Sequence, residues 1–107
     1  MGIIERLEIM LADGQDSALL RFSLGSAYAK AGDYPRAIAH LAQAIQLDRD
    51  YSAAWKFYAN ALNKNGQTEE AISAYESGIV IAEKKGDLQA AREMKVFLKR
   101  IRKGFSP

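Results

Sequence analysis

Cysteine is absent from the 107 residues, so disulfides, thiolate metal sites and cysteine nucleophiles are excluded. Proline occurs only at Pro35 and Pro107, which leaves long helices open to nearly the whole chain. β-Branched residues are few and scattered while alanine is abundant, a balance that favours helix over strand. No run approaches the roughly 18 apolar residues of a membrane helix, and no membrane partner is expected. The opening segment Met1–Glu8 carries acidic residues within its apolar stretch. It lacks the basic start and unbroken apolar core of a secretory signal. Gly2 would suit myristoylation, but Arg6 stands where that motif needs Ser or Thr. The expected location is the cytoplasm. With 49% apolar residues and a net charge of only +2, the chain has the makings of an ordered fold.

Reactive groups are equally sparse. His40 is the only histidine, so a transition-metal site has little to build from. It is expected on a solvent-facing or rim position of its helix. The serines lie in no nucleophile-elbow motif, and no glycine-rich phosphate loop appears. Glu69-Glu70, at a helix start, complements the helix dipole and is not read as an acid/base couple. No catalytic residue, metal or cofactor is expected, and the chain is not read as an enzyme.

What the chain does have is internal repetition. At a shift of 34 residues, Asp16/Asp50, Ala27/Ala61, Lys30/Lys64, Gly32/Gly66, Ala37/Ala71, Ile38/Ile72 and Ile45/Ile79 coincide. Gly25/Ala59, Tyr28/Leu62, Leu41/Tyr75 and Ala44/Gly78 are similar pairs. Each copy reads as a helix hairpin. In the first, Asp16 or Ser17 caps helix A, which runs to about Ala31, and Gly32 ends it. Asp33 caps helix B, Pro35 sits in its first turn, and the helix runs to about Leu47. In the second, Asp50 caps helix A, Gly66 ends it, and helix B runs from about Thr68 to about Lys85. The small residues let paired helices approach, while Leu24, Tyr28, Leu41, Trp55, Tyr58, Leu62 and Tyr75 fill the space between them.

Over roughly residues 16–85 this pattern resembles the tetratricopeptide-repeat (TPR) family. Small residues stand at its eighth position (Gly25, Ala59), large ones at the eleventh (Tyr28, Leu62), alanine at the twentieth (Ala37, Ala71) and small ones at the twenty-seventh (Ala44, Gly78). Trp55 matches the aromatic fourth position, where the first repeat has Arg21. Arg49 and Glu83 replace the usual closing proline. The resemblance implies an all-α helix-turn-helix solenoid of two repeats. The expected organisation is a TPR domain over 1–107: an N-terminal helix (1–15), repeat 1 (16–49), repeat 2 (50–85), and a basic capping helix and tail (86–107).

The ends depart from the period. Ala61 would map onto Lys95 and Gly66 onto Arg100, and neither can play the earlier part. Gly86-Asp87 instead marks a sharp turn into a last helix, about Asp87–Lys103. Its apolar stripe is Leu88, Ala91, Met94, Phe97, Leu98 and Ile101. At the other end, Ile3, Ile4, Leu7, Met10 and Leu11 form the face of a short helix that Asp13-Gly14 ends. It is expected to cover the open side of repeat 1.

By resemblance, a TPR array binds along the face lined by its A helices. The corresponding residues are Leu19, Phe22, Ser26, Ala29 and Lys30, then Ala53, Lys56, Asn60, Asn63 and Lys64. Phe22 and Leu19 could take an apolar side chain, the lysines carboxylates, and the asparagines a peptide backbone. Lys56 and Asn60 match the first pair of the carboxylate clamp that one TPR subclass uses. No asparagine follows Asn65, so the clamp is incomplete. The expected function is a protein-binding adaptor or assembly factor that holds a partner segment or helix in the groove formed by the two A helices and the last helix. Two alternatives stand beside it: a homodimer formed through an end helix, and an anion-binding module. Charge prompts the second. Residues 1–83 carry seven basic and eleven acidic residues, and residues 84–107 carry eight basic and two acidic. The basic segment is read mainly as a solvated face, and nucleic acid is not an expected partner because stacking aromatics are lacking there apart from Phe105.

Overall fold

The computed structural model describes residues 1–104, so Phe105 lies outside the described residues. Six helices follow in chain order: α1 (Ile3–Ala12), α2 (Ala18–Lys30), α3 (Tyr34–Leu47), α4 (Ser52–Lys64), α5 (Thr68–Lys85) and α6 (Leu88–Arg102). No strand occurs among the described residues, and no helix there is long and apolar enough to cross a membrane. Consecutive helices pack as antiparallel neighbours, and α2, α4 and α6 also touch one another in a row.

The helix ends follow from local chemistry. The Ser17 hydroxyl accepts the Leu20 N–H at 3.1 Å, and the Asp33 and Asp87 carboxylates accept those of Arg36 and Ala90 at 3.2 Å. Gly32 and Gly66 take φ of 80° and 81°. That lets Asp33 N–H and Gln67 N–H reach back to the Tyr28 and Leu62 carbonyls at 2.9 Å, satisfying acceptors the helix leaves open. Asp50 does not cap α4. Its own N–H is taken by the Asp48 carboxylate at 3.0 Å, and Tyr51 occupies the cap position with no side-chain bond. The reason is packing: the Tyr51 ring lies 5.0 Å from that of Phe22, which fixes the chain's entry into α4.

The small repeat positions seat the hairpins. A Cβ at Gly25 would overlap the Leu41 side chain and press on the Ala37 carbonyl. One at Gly78 would fall 2.8 Å from Met94 Sδ and 2.9 Å from Trp55 Cβ. The Met94 contact is informative, because Met94 belongs to α6. The A helices begin at Ala18, Ser52 and Leu88, offsets of 34 and then 36 residues. Because α5 is four residues longer than α3 and the turn after it two residues shorter, the period slips by two, and α6 takes the place of a third A helix. Ala90, Ala91, Met94, Leu98 and Ile101 are buried in the main core with Trp55, Tyr75 and Ile79. Leu88 is not part of that stripe. It stands 57% exposed at the corner where the chain leaves α5.

At the other end α1 lies against α2, but none of its residues is fully buried, and Ile3, Ile9 and Met10 remain exposed. Polar contacts help to hold it. Tyr28 donates to Glu8 Oε2 at 3.2 Å, and His40, stacked on the Tyr28 ring, sits 3.8 Å from Glu8 Oε1. His40 is thus not solvent-facing: α1 and α2 close over it, and 13% of its side chain remains exposed. Arg21, itself paired with Asp16, can only donate, so its Nη1–H goes to His40 Nδ1 at 3.2 Å. That bond requires a neutral imidazole with its proton on Nε2. Burial holds the His40 pKa below its ordinary 6.5, with Glu8 pulling the other way. A depressed folded pKa means the unfolded chain takes up this proton first as pH falls. Stability is therefore full above about pH 6.5 and is lost as pH drops through the lower folded pKa. Melting temperatures recorded between pH 7.5 and 5.5 are expected to fall for the native chain and to stay flatter for His40→Gln. Parallel curves for the two would remove His40 as the cause.

Candidate functional site

The row α2–α4–α6 leaves a concavity of about 710 Å³. Helix α2 contributes Ser26, Ala29 and Lys30, α4 contributes Lys56, Phe57 and Asn60, and α6 contributes Glu93, Val96, Phe97 and Arg100. Tyr34 closes one side from the start of α3. With the two offsets of 34 and 36 residues, Ser26, Asn60 and Val96 occupy one equivalent place, and Lys30, Lys64 and Arg100 another.

The floor is aromatic and the charges sit above it. Phe57 meets Phe22 edge-on at 5.0 Å, and Phe97 stacks on the buried Tyr75 at 6.1 Å. Burial pushes the Tyr75 phenol pKa up, with Asn60 acting in the opposite sense. Lys56 Nζ donates to Glu93 Oε1 at 2.8 Å, bridging α4 to α6, and lies 5.7 Å from the centre of the Phe57 ring. This lysine holds the Glu93 carboxyl below the usual carboxylate range. The Arg100 guanidinium sits over the Phe97 ring at 5.9 Å. Glu93 is the sole carboxylate in the lining, against the cations Lys30, Lys56 and Arg100.

Five of the ten residues expected in the groove line one concavity: Ser26, Ala29, Lys30, Lys56 and Asn60. The other five stand elsewhere, Ala53 among them at the start of α4. Phe22 fills the space between α2 and α4 against Tyr51 and Phe57, and it supports the floor from behind. Leu19, one turn earlier, is left 65% exposed. Asn63 is buried, covered by the same packing that buries Ala61 and Leu62. Lys64, the last residue of α4, is exposed beyond the lining. Conversely, Tyr34, Phe57, Glu93, Val96, Phe97 and Arg100 were not expected in the lining. The signal for the α6 residues was the slipped period, since Asn60 maps onto Val96 only at an offset of 36 residues. Phe57 had no comparable signal, because it lies outside the A-helix positions that the repeat pattern marks.

Tetratricopeptide-repeat profiles match residues 28–94 and, separately, 4–51. The chain is 46% identical over 99 residues to TPR repeat-containing protein PA0015 of Pseudomonas aeruginosa, covering 92% of this chain and 94% of that one. The solution structure of protein BPP2914 from Bordetella parapertussis superposes with a TM-score of 0.87 at 42% identity, covering 97% of this chain and 90% of that one. Period, hairpin packing and these similarities agree that the chain belongs to the tetratricopeptide-repeat family, whose domains generally mediate protein–protein interactions.

Proposed function

We propose that this chain is a protein-binding adaptor or assembly factor that holds a segment of a partner in the concavity between α2, α4 and α6. One observation carries the reading. Three successive A helices leave Phe57 and Phe97, and the start of α3 leaves Tyr34, on an open concave surface ringed by Ser26, Asn60 and charged side chains that can fix a segment's direction. The surface has no reactive constellation, so its use is to bind.

Lys56→Ala combined with Asn60→Ala is expected to weaken partner capture. Lys56→Ala alone is expected to change unfolding free energy by no more than about 0.5 kcal/mol, whereas Asn60→Ala also removes a hydrogen-bond partner of the buried Tyr75 phenol. Lys56 and Glu93 are both partly exposed, so their ion pair contributes little to stability. Affinity for the captured partner, measured beside a denaturation curve, decides the matter. Unchanged affinity in a folded double variant removes the groove from the account.

A second reading, self-association, is favoured by the exposed Ile3, Ile9 and Met10 of α1 together with Leu19. Sedimentation separates the two: a monomer over a wide concentration range rules out the homodimer.

A further inference from the structure

We propose that the partner segment is acidic, with an apolar side chain seated against Phe57 and Phe97 and its flanking carboxylates lying across Arg100, Lys99 and Lys103. This rests on the groove reading above and adds the partner's chemistry. The argument starts from how the cations of α6 are disposed. Lys95 is paired with Glu83 at 2.7 Å, and Arg102 is paired with Glu76. Lys99 and Lys103 form no ion pair among the described residues, and both are exposed. These two line a second concavity, of about 520 Å³, together with Val96 and Arg100. Val96 and Arg100 also line the groove, so the two hollows adjoin across that edge of α6.

The second hollow therefore has three cations and no carboxylate. In the first, the one carboxylate, Glu93, is already neutralised by Lys56, leaving Lys30 and Arg100 as the uncompensated charge. A segment leaving the apolar floor over Val96 thus meets positive charge on its way out, and complementary charge on the partner fixes its direction. A basic or neutral segment would leave these cations facing like charge or solvent. The aromatic floor sits in the groove and not in the cationic hollow, so the arrangement suits a side chain followed by carboxylates better than a run of stacked bases.

The test uses the full chain and labelled peptides built alike, with a central leucine–tryptophan pair flanked by glutamates, by glutamines or by lysines. An oligothymidylate serves as the non-peptide polyanion, and binding is read by fluorescence anisotropy. The glutamate peptide is expected to bind about tenfold tighter than the glutamine peptide at low salt, the scale of a few exposed ion pairs, and the gap is expected to close as salt rises. Lys99→Glu with Lys103→Glu is expected to abolish the gap and leave the glutamine peptide's affinity unchanged. Both side chains are exposed, so folding is expected to persist, and a melting curve of the variant checks it. Equal affinity for the glutamate and glutamine peptides overturns the acidic-partner inference while the groove reading stands. Oligothymidylate binding as tightly as the glutamate peptide overturns it in favour of a general polyanion surface. Failure of all three peptides to bind also overturns it. The groove reading is decided apart from these outcomes, by the Lys56 and Asn60 variant and the captured partner.

Discussion

A chain ended after Lys85 is expected to aggregate or to lose most of its cooperative unfolding. Helix α6 places Met94, Leu98 and Ile101 in the main core, with Met94 fully buried against Gly78. Burial of side chains of this size stabilises by about 1.5–3 kcal/mol each. Three of them amount to a large part of the roughly 5–15 kcal/mol by which a protein is stable at all. The truncation also uncovers Trp55, Tyr75 and Ile79 along one open flank, a patch that favours association. Circular dichroism with light scattering checks this. A monomeric truncated chain with the native melting temperature would make α6 an appendage, and the groove could not then depend on it.

Overpacking the hairpins is the second large effect. Ala37 and Ala71 are fully buried at the same repeat position, on α3 and α5. Ala37 lies in the contact through which Gly25 admits Leu41. Leucine at either alanine is expected to cost about 1–3 kcal/mol, because three added carbons have no space without shifting backbone. The two sites belong to different hairpins, so the costs are expected to add nearly fully. Denaturant midpoints of both single variants and the double variant test this. Native midpoints in all three would mean that these alanines do not mark the close approach.

Much of this was legible because the repeat marks positions by side-chain size. Gly32 and Gly66 announce helix ends through a backbone conformation that other residues adopt at a cost, and Ser17, Asp33 and Asp87 announce starts through a single hydrogen bond each. Such signals are local and survive without tertiary knowledge. Three features were not legible for the same reason in reverse. Asp50 has a capping residue's chemistry, but the Tyr51 ring's place against Phe22 decides the turn. His40 reads as solvent-facing or at the rim of its own helix, and residues 19 and 32 positions away, Arg21 and Glu8, cover it. The two extra residues between the starts of α4 and α6 took the third A helix out of the 34-residue period, so the last helix was expected beside the groove but its lining residues Glu93, Val96, Phe97 and Arg100 were not named. Of the expected lining, the residues in the C-terminal half of α2 and the middle of α4 face the concavity. Leu19 and Phe22 stand outside the concavity: Phe22 packs edge-on against Phe57, and Leu19, one turn earlier, is exposed.

The central claim is that a partner lies in the concavity between α2, α4 and α6. Amide chemical shifts of the full chain, recorded while the captured partner segment is titrated in, test it most directly. The largest changes are predicted at Ser26, Lys30, Lys56, Asn60, Val96 and Arg100, three helices distant in sequence responding together. Changes confined to α1, or to the outer face of α5, with those six amides unmoved, would contradict it.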